Sequence, residues 1–280
     1  MSSNLRPVWD SILEIYKVYA AICEKHHLTY WAGYGTVLGA VRHRGFIPWD
    51  DDFDVLMSRA EYDRFLSIVE KELPSHLKLV SMSNSKDYPF LFCKIQDSRR
   101  EVFERVVKES GTDQPQGLYI DIFAIDGVSD SCWGRFWDFI RRHGAYARMS
   151  RLFRHNRHSS IKGWLGELCG ILCAPFFLGR RTERDFLLLF DKWARENDMV
   201  KSCKCGRYRG DLKGWAWIAH TNVFDGVDML PFEDIKIPCP KGWDEYLKAN
   251  YGDYMKLPPP EKRVSCHWGE ASWKFGPTGL

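Results

Sequence analysis

One segment limits what this chain can fold into more than any other: GYGTVLGAVRHRGFIPWDDDFDV, residues 33–55. It sets Asp50, Asp51, Asp52 and Asp54 within five positions, directly after a glycine-rich turn and a stretch suited to a short helix. A strand through Asp52, Phe53, Asp54 and Val55 alternates its faces, so Asp52 and Asp54 share one side and Phe53 and Val55 the other. Two same-face carboxylates stand about 6–7 Å apart and repel each other unless a cation lies between them. A hard divalent ion such as Mg²⁺ or Mn²⁺ prefers such oxygen ligands. Asp52 and Asp54 are therefore the expected ligands, with Asp50 a weaker one and Asp51 turned away as a surface or supporting group. A surface Asp-rich loop is the alternative, and it leaves the alternation and the upstream glycine turn unexplained.

A third carboxylate is offered by GLYIDIFAIDG, residues 117–127. Asp121 stands there in an apolar alternating run, on the side of Tyr119 and Phe123. Burying a carboxylate without a partner is costly, and a metal shared with Asp52 and Asp54 would supply one. Asp126 falls where that strand should end. Upstream, Gly33, Gly35 and Thr36 fit a tight turn that holds phosphate at a helix N-terminus. Arg42, His43 and Arg44 are suited either to phosphate charge or to the surface. Lys94, in FLFCKIQD, reads as a phosphate contact or as a snorkelling edge lysine.

The formal charge of +3 is too small to argue for nucleic acid. Twelve Trp, 12 Tyr and 17 Phe suit either a large aromatic core or sugar-stacking and cation-caging surfaces. Of nine cysteines, Cys23, Cys93, Cys132, Cys169 and Cys173 lie in apolar sequence and read as buried hydrophobes in a reducing compartment. Cys203 and Cys205, one residue apart, lack the usual zinc-ribbon spacing, and with Cys239, Cys266 and His267 they leave a metal site as an alternative. The N-terminal MSSNLRPVWDSILEIYK is charged and amphipathic rather than a signal peptide.

Residues 7–26 carry Val8, Ile12, Ile15, Tyr19 and Ile22 at helical spacing, with Pro7 in the first turn. Helices are expected at 36–44, ended by Gly45, and at 61–71, and strands at 29–32, 77–81, 89–96, 101–107 and 117–123. Further helices are expected at 133–155, 161–178 and 182–197, the last burying Phe186, Leu189, Phe190 and Trp193. The final 80 residues read as loop-rich and aromatic, with short strands near 215–219 and 235–237. The division is then a core over 1–130, a helical region over 131–200 and a C-terminal part over 201–280, all one continuous domain of 1–280. Between Arg141 and Lys162 stand seven Lys/Arg and no acid, followed by the apolar 163–179. That run is short for a membrane span and suits either an anionic membrane face or a basic helix beside a buried one.

The stretches GTVLGAVRHRGFIPWDDDFDV, KIQD, GLYIDIFAIDGV and YLKANYGDYMKLPPPEKR, with His267 beyond, together resemble the LicD/fukutin-related family over about residues 24–270. Its members are similar to nucleotidyltransferase-fold enzymes but transfer a phospho-alcohol from a CDP-activated donor to a glycan hydroxyl. The donor is associated with CDP-choline in the LicD branch and CDP-ribitol in the fukutin branch. The resemblance implies an α+β fold, a nucleotidyltransferase-like mixed sheet flanked by helices with a helical insertion. It also implies a LicD-type phosphocholine transferase, active on a lipopolysaccharide or teichoic acid precursor. Residue by residue, the family's Gly-Thr turn is Gly35 and Thr36, its aspartate pair Asp52 and Asp54, and its strand aspartate Asp121. Ala124 stands where proline is common, and the zinc cysteines of the fukutin branch have no clear match. On this reading Asp52, Asp54 and Asp121 bind metal and act in catalysis, and Arg42, His43 and Lys94 serve the phosphates. Tyr34, Trp49, Trp215 and Trp217 are candidates for a choline cage. The expected setting is cytoplasmic and peripheral on the inner membrane face, with a lipid-linked glycan acceptor and no nucleic acid. Two alternatives stand beside it: a nucleotidyltransferase using an NTP donor, and an inactive glycan-binding module.

Overall fold

The computed structural model of the chain describes residues 5–85, 88–102, 116–153, 182–209, 214–264 and 274–275. The expected helix at 161–178, the apolar run 163–179, Cys169, Cys173, Cys266 and His267 fall outside them, as do the ends of the segments expected at 101–107 and 133–155. The fold is α+β, a mixed sheet flanked by helices. By contacts it forms two compact units, one of residues 1–80, 92–124 and 223–280, the other of residues 81–91 and 125–222.

In the first unit, helix α1 (Arg6–Lys25) carries Pro7 in its first turn, and its expected stripe of Val8, Ile12, Ile15, Tyr19 and Ile22 is buried. Strand β1 (Trp31–Ala32) leads into α2 (Tyr34–His43), followed by β2 (Asp54–Ser58) and α3 (Arg59–Glu72). The Ser58 hydroxyl caps α3 by accepting from the Glu61 N–H. Strands β3 (Leu77–Val80), β4 (Cys93–Val102) and β5 (Gln116–Val128) follow, and β10 (Lys274–Phe275) adds an edge. The order is β1-β2-β5-β4-β10, with β3 also paired to β4. In the β4–β5 register Lys94 stands opposite Asp121.

Two expectations about the acidic segment change here. Asp52 and Phe53 precede β2 rather than lying in it, so the shared face of Asp52 and Asp54 is not a strand alternation. Asp51 is buried, which removes the surface place expected for it and leaves that of a supporting group. The residue that ends α2 in the left-handed region is Arg44 (φ 57°), not Gly45. Gly45 serves another need: a Cβ there would strike Glu233 Oε1.

Glu233 is the tip of a hairpin made by β8 (Val227–Phe232) and β9 (Ile235–Pro240). Its N–H donates to Arg44 O, its Oε1 accepts from Phe46 N–H at 3.2 Å, and its Oε2 meets Arg6 at 2.6 Å. Around this clamp Phe46 stacks on Trp9, and Phe46, Phe53 and Phe232 pack edge to face. Much of the aromatic content is thus core. The stretch read as loop-rich also contains α6 (Trp243–Tyr251).

The second unit is built on α4 (Cys132–Phe153) and α5 (Glu183–Ala194). Thr182 and Asp185 form a reciprocal capping box at α5. The expected face of Phe186, Leu189, Phe190 and Trp193 forms its core with Ala145 and Tyr208. Residues 126–128 of β5 pair with β6 (Lys204–Tyr208), which pairs with β7 (Trp215–His220). Cys132 is exposed, unlike its expected burial, because it opens α4 at the surface. Cys203 is exposed and Cys205 buried, so they do not share a face. Burial pushes the thiols of Cys205 and Cys239 up to about 12.

Candidate active site

The site is assembled within the first unit by backbone hydrogen bonds between α2 and β2. Gly33 N–H donates to Asp54 O at 2.8 Å, and Asp54 N–H donates to Thr36 Oγ1 at 2.9 Å. Thr36 is buried, so its hydroxyl holds the start of β2 rather than standing open to a phosphate. Tyr34 N–H donates to the Tyr246 hydroxyl at 2.9 Å, which ties the first turn of α2 to α6. The Tyr34 ring lies edge-on to Phe123 at 5.4 Å. Asp121 N–H donates to Phe53 O at 3.0 Å, which sets β5 beside the acidic loop.

That loop is fixed from outside as well. Asp50 N–H donates to Ile47 O and Trp9 Nε1 donates to Asp50 O, each at 2.8 Å. A Cβ on Gly35 would run into Asp50 Oδ2, so the glycine is needed for close approach and not for a left-handed backbone. Gly35→Ala should therefore push the Asp50 carboxylate aside while leaving α2 intact. A transfer rate lowered about tenfold to a hundredfold is expected, with an almost unchanged melting curve. Steady-state kinetics beside a thermal melt check both halves of that expectation.

The charges separate into an acidic and a basic group, and Tyr251 of α6 interacts with both. Its phenol is held well above its ordinary value, first by burial of the hydroxyl end and then by the charges of Asp54, Asp50 and Asp52. Part of the Tyr251 ring nevertheless remains exposed. On the basic side, Arg42 Nη1 donates to Tyr254 O at 2.7 Å and Arg42 Nε to His43 Nε2 at 2.9 Å. That bond needs an unprotonated Nε2. Burial and the Arg42 charge both lower the His43 pKa. Burial lowers Arg42 too, and the neighbouring Arg263 charge adds to it, with Tyr251 close enough to be felt. Arg263 stands over the Trp49 ring at 5.7 Å, and the His43 ring meets Trp49 at 6.2 Å. Arg263 Nε donates to Pro258 O at 2.8 Å, and guanidinium groups of this kind are the donors that pair with phosphate oxygens.

Lys94 is placed differently from an open phosphate contact. It is 1 % exposed, its Nζ is 3.2 Å from Asp121 Oδ1, and the same ammonium sits 3.2 Å from the centre of the Tyr119 ring. Trp215 and Trp217 pack within the second unit, Trp217 buried and Trp215 against Tyr208. Among the described residues, no group of three or more His, Cys, Asp or Glu is gathered so as to hold a metal ion unaided. Mg²⁺ is commonly held by one or two carboxylates plus substrate phosphates rather than by an all-protein cage. The donor chemistry of Asp52 and Asp54, two carboxylates of one short loop, fits that mode. Tyr251 and Arg263 were not singled out from the sequence, although both lie in YLKANYGDYMKLPPPEKR, a stretch that carried the resemblance.

The family described as LicD/FKTN/FKRP, nucleotidyltransferase domain, matches residues 27–153, a span that holds Gly35, Thr36, Lys94 and all the aspartates of the site. Two uncharacterized proteins give short matches. One from Rickettsia typhi is 37% identical over 59 residues, 21% of this chain and 19% of that protein. One from Rickettsia prowazekii is 44% identical over 45 residues, 16% and 17% of the two chains. The lipopolysaccharide cholinephosphotransferase LicD of Haemophilus influenzae is 30% identical over 267 residues, covering 92% of this chain and 94% of the relative. A similarity that runs nearly end to end in both proteins, with the acidic loop and strand inside the matched domain, leads to one assignment: the chain belongs to the LicD family.

Proposed function

We propose that the chain is a transferase that moves phosphocholine, or a related phospho-alcohol, from a CDP-activated donor to a hydroxyl of a cell-surface glycan. The near full-length similarity to a lipopolysaccharide cholinephosphotransferase supports phosphocholine as cargo and a lipopolysaccharide-type acceptor. The observation that carries the chemistry is the acidic loop fastened to the glycine turn: Asp54 bonds Gly33 and Thr36, Asp50 Oδ2 packs against Gly35, and Asp121 N–H bonds Phe53 O. Such a loop, with Arg42 at the end of the helix that this turn opens, suits a diphosphate with its counter-ion.

In this reading the acceptor hydroxyl oxygen attacks the phosphorus that bears choline. The new P–O bond forms as the bond to the bridging oxygen breaks, and CMP departs with that electron pair. Asp54 or Asp121 takes the hydroxyl proton. Arg42 and Arg263 hold the diphosphate oxygens, with His43 orienting Arg42, and Gly35 leaves room for Asp50. Trp49 and Tyr34 offer aromatic surface for the trimethylammonium group. Asp52 and Asp54, with Asp121 beside them, would hold Mg²⁺ or Mn²⁺, which when bound neutralises charge on the diphosphate. The acceptor is lipid-linked and is met at the inner face of the membrane.

The test is incubation with CDP-choline, acceptor glycan and Mg²⁺, followed by phosphorus NMR. Release of CMP with phosphocholine on the glycan is expected. Release of pyrophosphate from CTP would make the chain a nucleotidyltransferase instead. Acceptor binding with neither product would leave a glycan-binding module.

A further inference from the structure

The face of α4 that carries Trp133, Phe136, Trp137 and Phe139 has no part in the site described above. These residues are 78 %, 53 %, 51 % and 44 % exposed. Trp133, Phe136 and Trp137 follow the i, i+3, i+4 spacing of one helix face, and the Trp133 and Phe136 rings meet edge to face at 5.9 Å. Large aromatics grouped on a monomer surface mark an interaction site.

Charge indicates what covers this face. The unit that contains α4 has 19 Lys/Arg against 11 Asp/Glu, whereas the other unit has 21 against 26. The basic excess of the chain therefore lies wholly in the unit that exposes these aromatics. Arg135, between Trp133 and Phe136 in sequence, donates to Ser129 O and Asp130 O, and the next arginines of α4 are engaged inward. Arg141 meets Asp138 and Glu196, and Arg142 is buried against Asp138 at 2.8 Å. The face therefore offers aromatic surface rather than the row of guanidinium contacts that a nucleic-acid backbone takes. Exposed Trp and Phe on a helix, in a unit of net positive charge, match the interface of an anionic bilayer. Among the described residues no helix is long and apolar enough to cross a membrane, so the contact is peripheral.

We propose that α4 docks the chain onto an anionic lipid bilayer by inserting Trp133, Phe136 and Trp137 at the headgroup level. The proposal relies on the lipid-linked acceptor of the proposed function only for its purpose, because vesicle binding is measured without donor or acceptor. The experiment sediments the full chain with vesicles of phosphatidylcholine, with or without phosphatidylglycerol. Pelleting with the phosphatidylglycerol vesicles, released by high salt, is expected. The variant carrying Trp133→Ser, Phe136→Ser and Trp137→Ser should partition about tenfold more weakly or worse. A variant carrying Val227→Ser and Met229→Ser, exposed residues of the other unit, should partition as the parent does. Circular dichroism checks that each variant is folded. As a second measurement, brominated lipid should quench the parent's tryptophan fluorescence more than that of the Trp133→Phe, Trp137→Phe variant. Undiminished binding by the triple variant overturns the proposal. So does a parent chain that ignores both vesicle types or binds a DNA duplex instead. Vesicle binding without phosphocholine transfer would sink the proposed reaction and leave the docking surface standing.

Discussion

Replacing Asp54 by Asn is expected to lower the transfer rate by about a thousandfold while leaving the protein folded. The two are separable because Asp54 is held by its backbone. Its N–H bonds Thr36 Oγ1 and its C=O bonds Gly33 N–H, and both bonds survive the substitution. Asn keeps the shape of the side chain and removes only its charge. Asp54 is also the carboxylate whose charge acts most strongly on Tyr251, so the loss falls at the centre of the acidic group. Initial rates of phosphocholine transfer, beside a thermal melt, measure both effects. A variant that kept a rate within tenfold of the parent would remove Asp54 from the chemistry.

The second large effect is on stability. Lys94→Met should cost about 3 kcal/mol in urea unfolding, because it removes the ion-pair partner of a carboxylate in the middle of a sheet. Both ends of the pair are shielded, Lys94 almost wholly, and the ammonium also rests on the Tyr119 ring. Met fills a similar volume, so the cost comes from the charge and not from a cavity. Adding Asp121→Asn to Lys94→Met should recover more than half of the loss, since the two sites share one interaction. A lysine that served as a phosphate contact would behave otherwise, raising the KM for the donor with little change in stability. No recovery in the double variant would end the account of Lys94 as the partner of Asp121.

What the sequence disclosed and what it hid divide along physical lines. Local patterns were legible: the stripe of α1, the α5 face of Phe186, Leu189, Phe190 and Trp193, and the alternation that sets Asp121 with Tyr119 and Phe123 in a buried strand. They depend on period alone. The acidic loop was legible as chemistry but not as geometry. Asp52 and Phe53 lie ahead of β2, because Gly33 and Thr36 fasten the strand only from Asp54 onward. Gly45 looked like a helix stop, but the left-handed residue is Arg44, and the glycine answers to a glutamate 188 positions away. Tyr251 and Arg263 were hidden for the same reason, since only the fold brings the end of α6 to residues 42–54. Lys94 carried an ambiguity that composition could not resolve, and its partner across the β4–β5 ladder resolves it.

The Glu233 clamp gives the molecule an order of assembly. Every proposed catalytic carboxylate has been synthesised by residue 121, yet the turn that aims the acidic loop is gripped by residue 233, and the first turn of α2 by Tyr246. A nascent chain paused before the hairpin therefore holds Asp50, Asp51, Asp52, Asp54 and Asp121 but lacks the contacts that fix the turn ahead of them. The frame of this loop is completed only when the last third of the chain has been made.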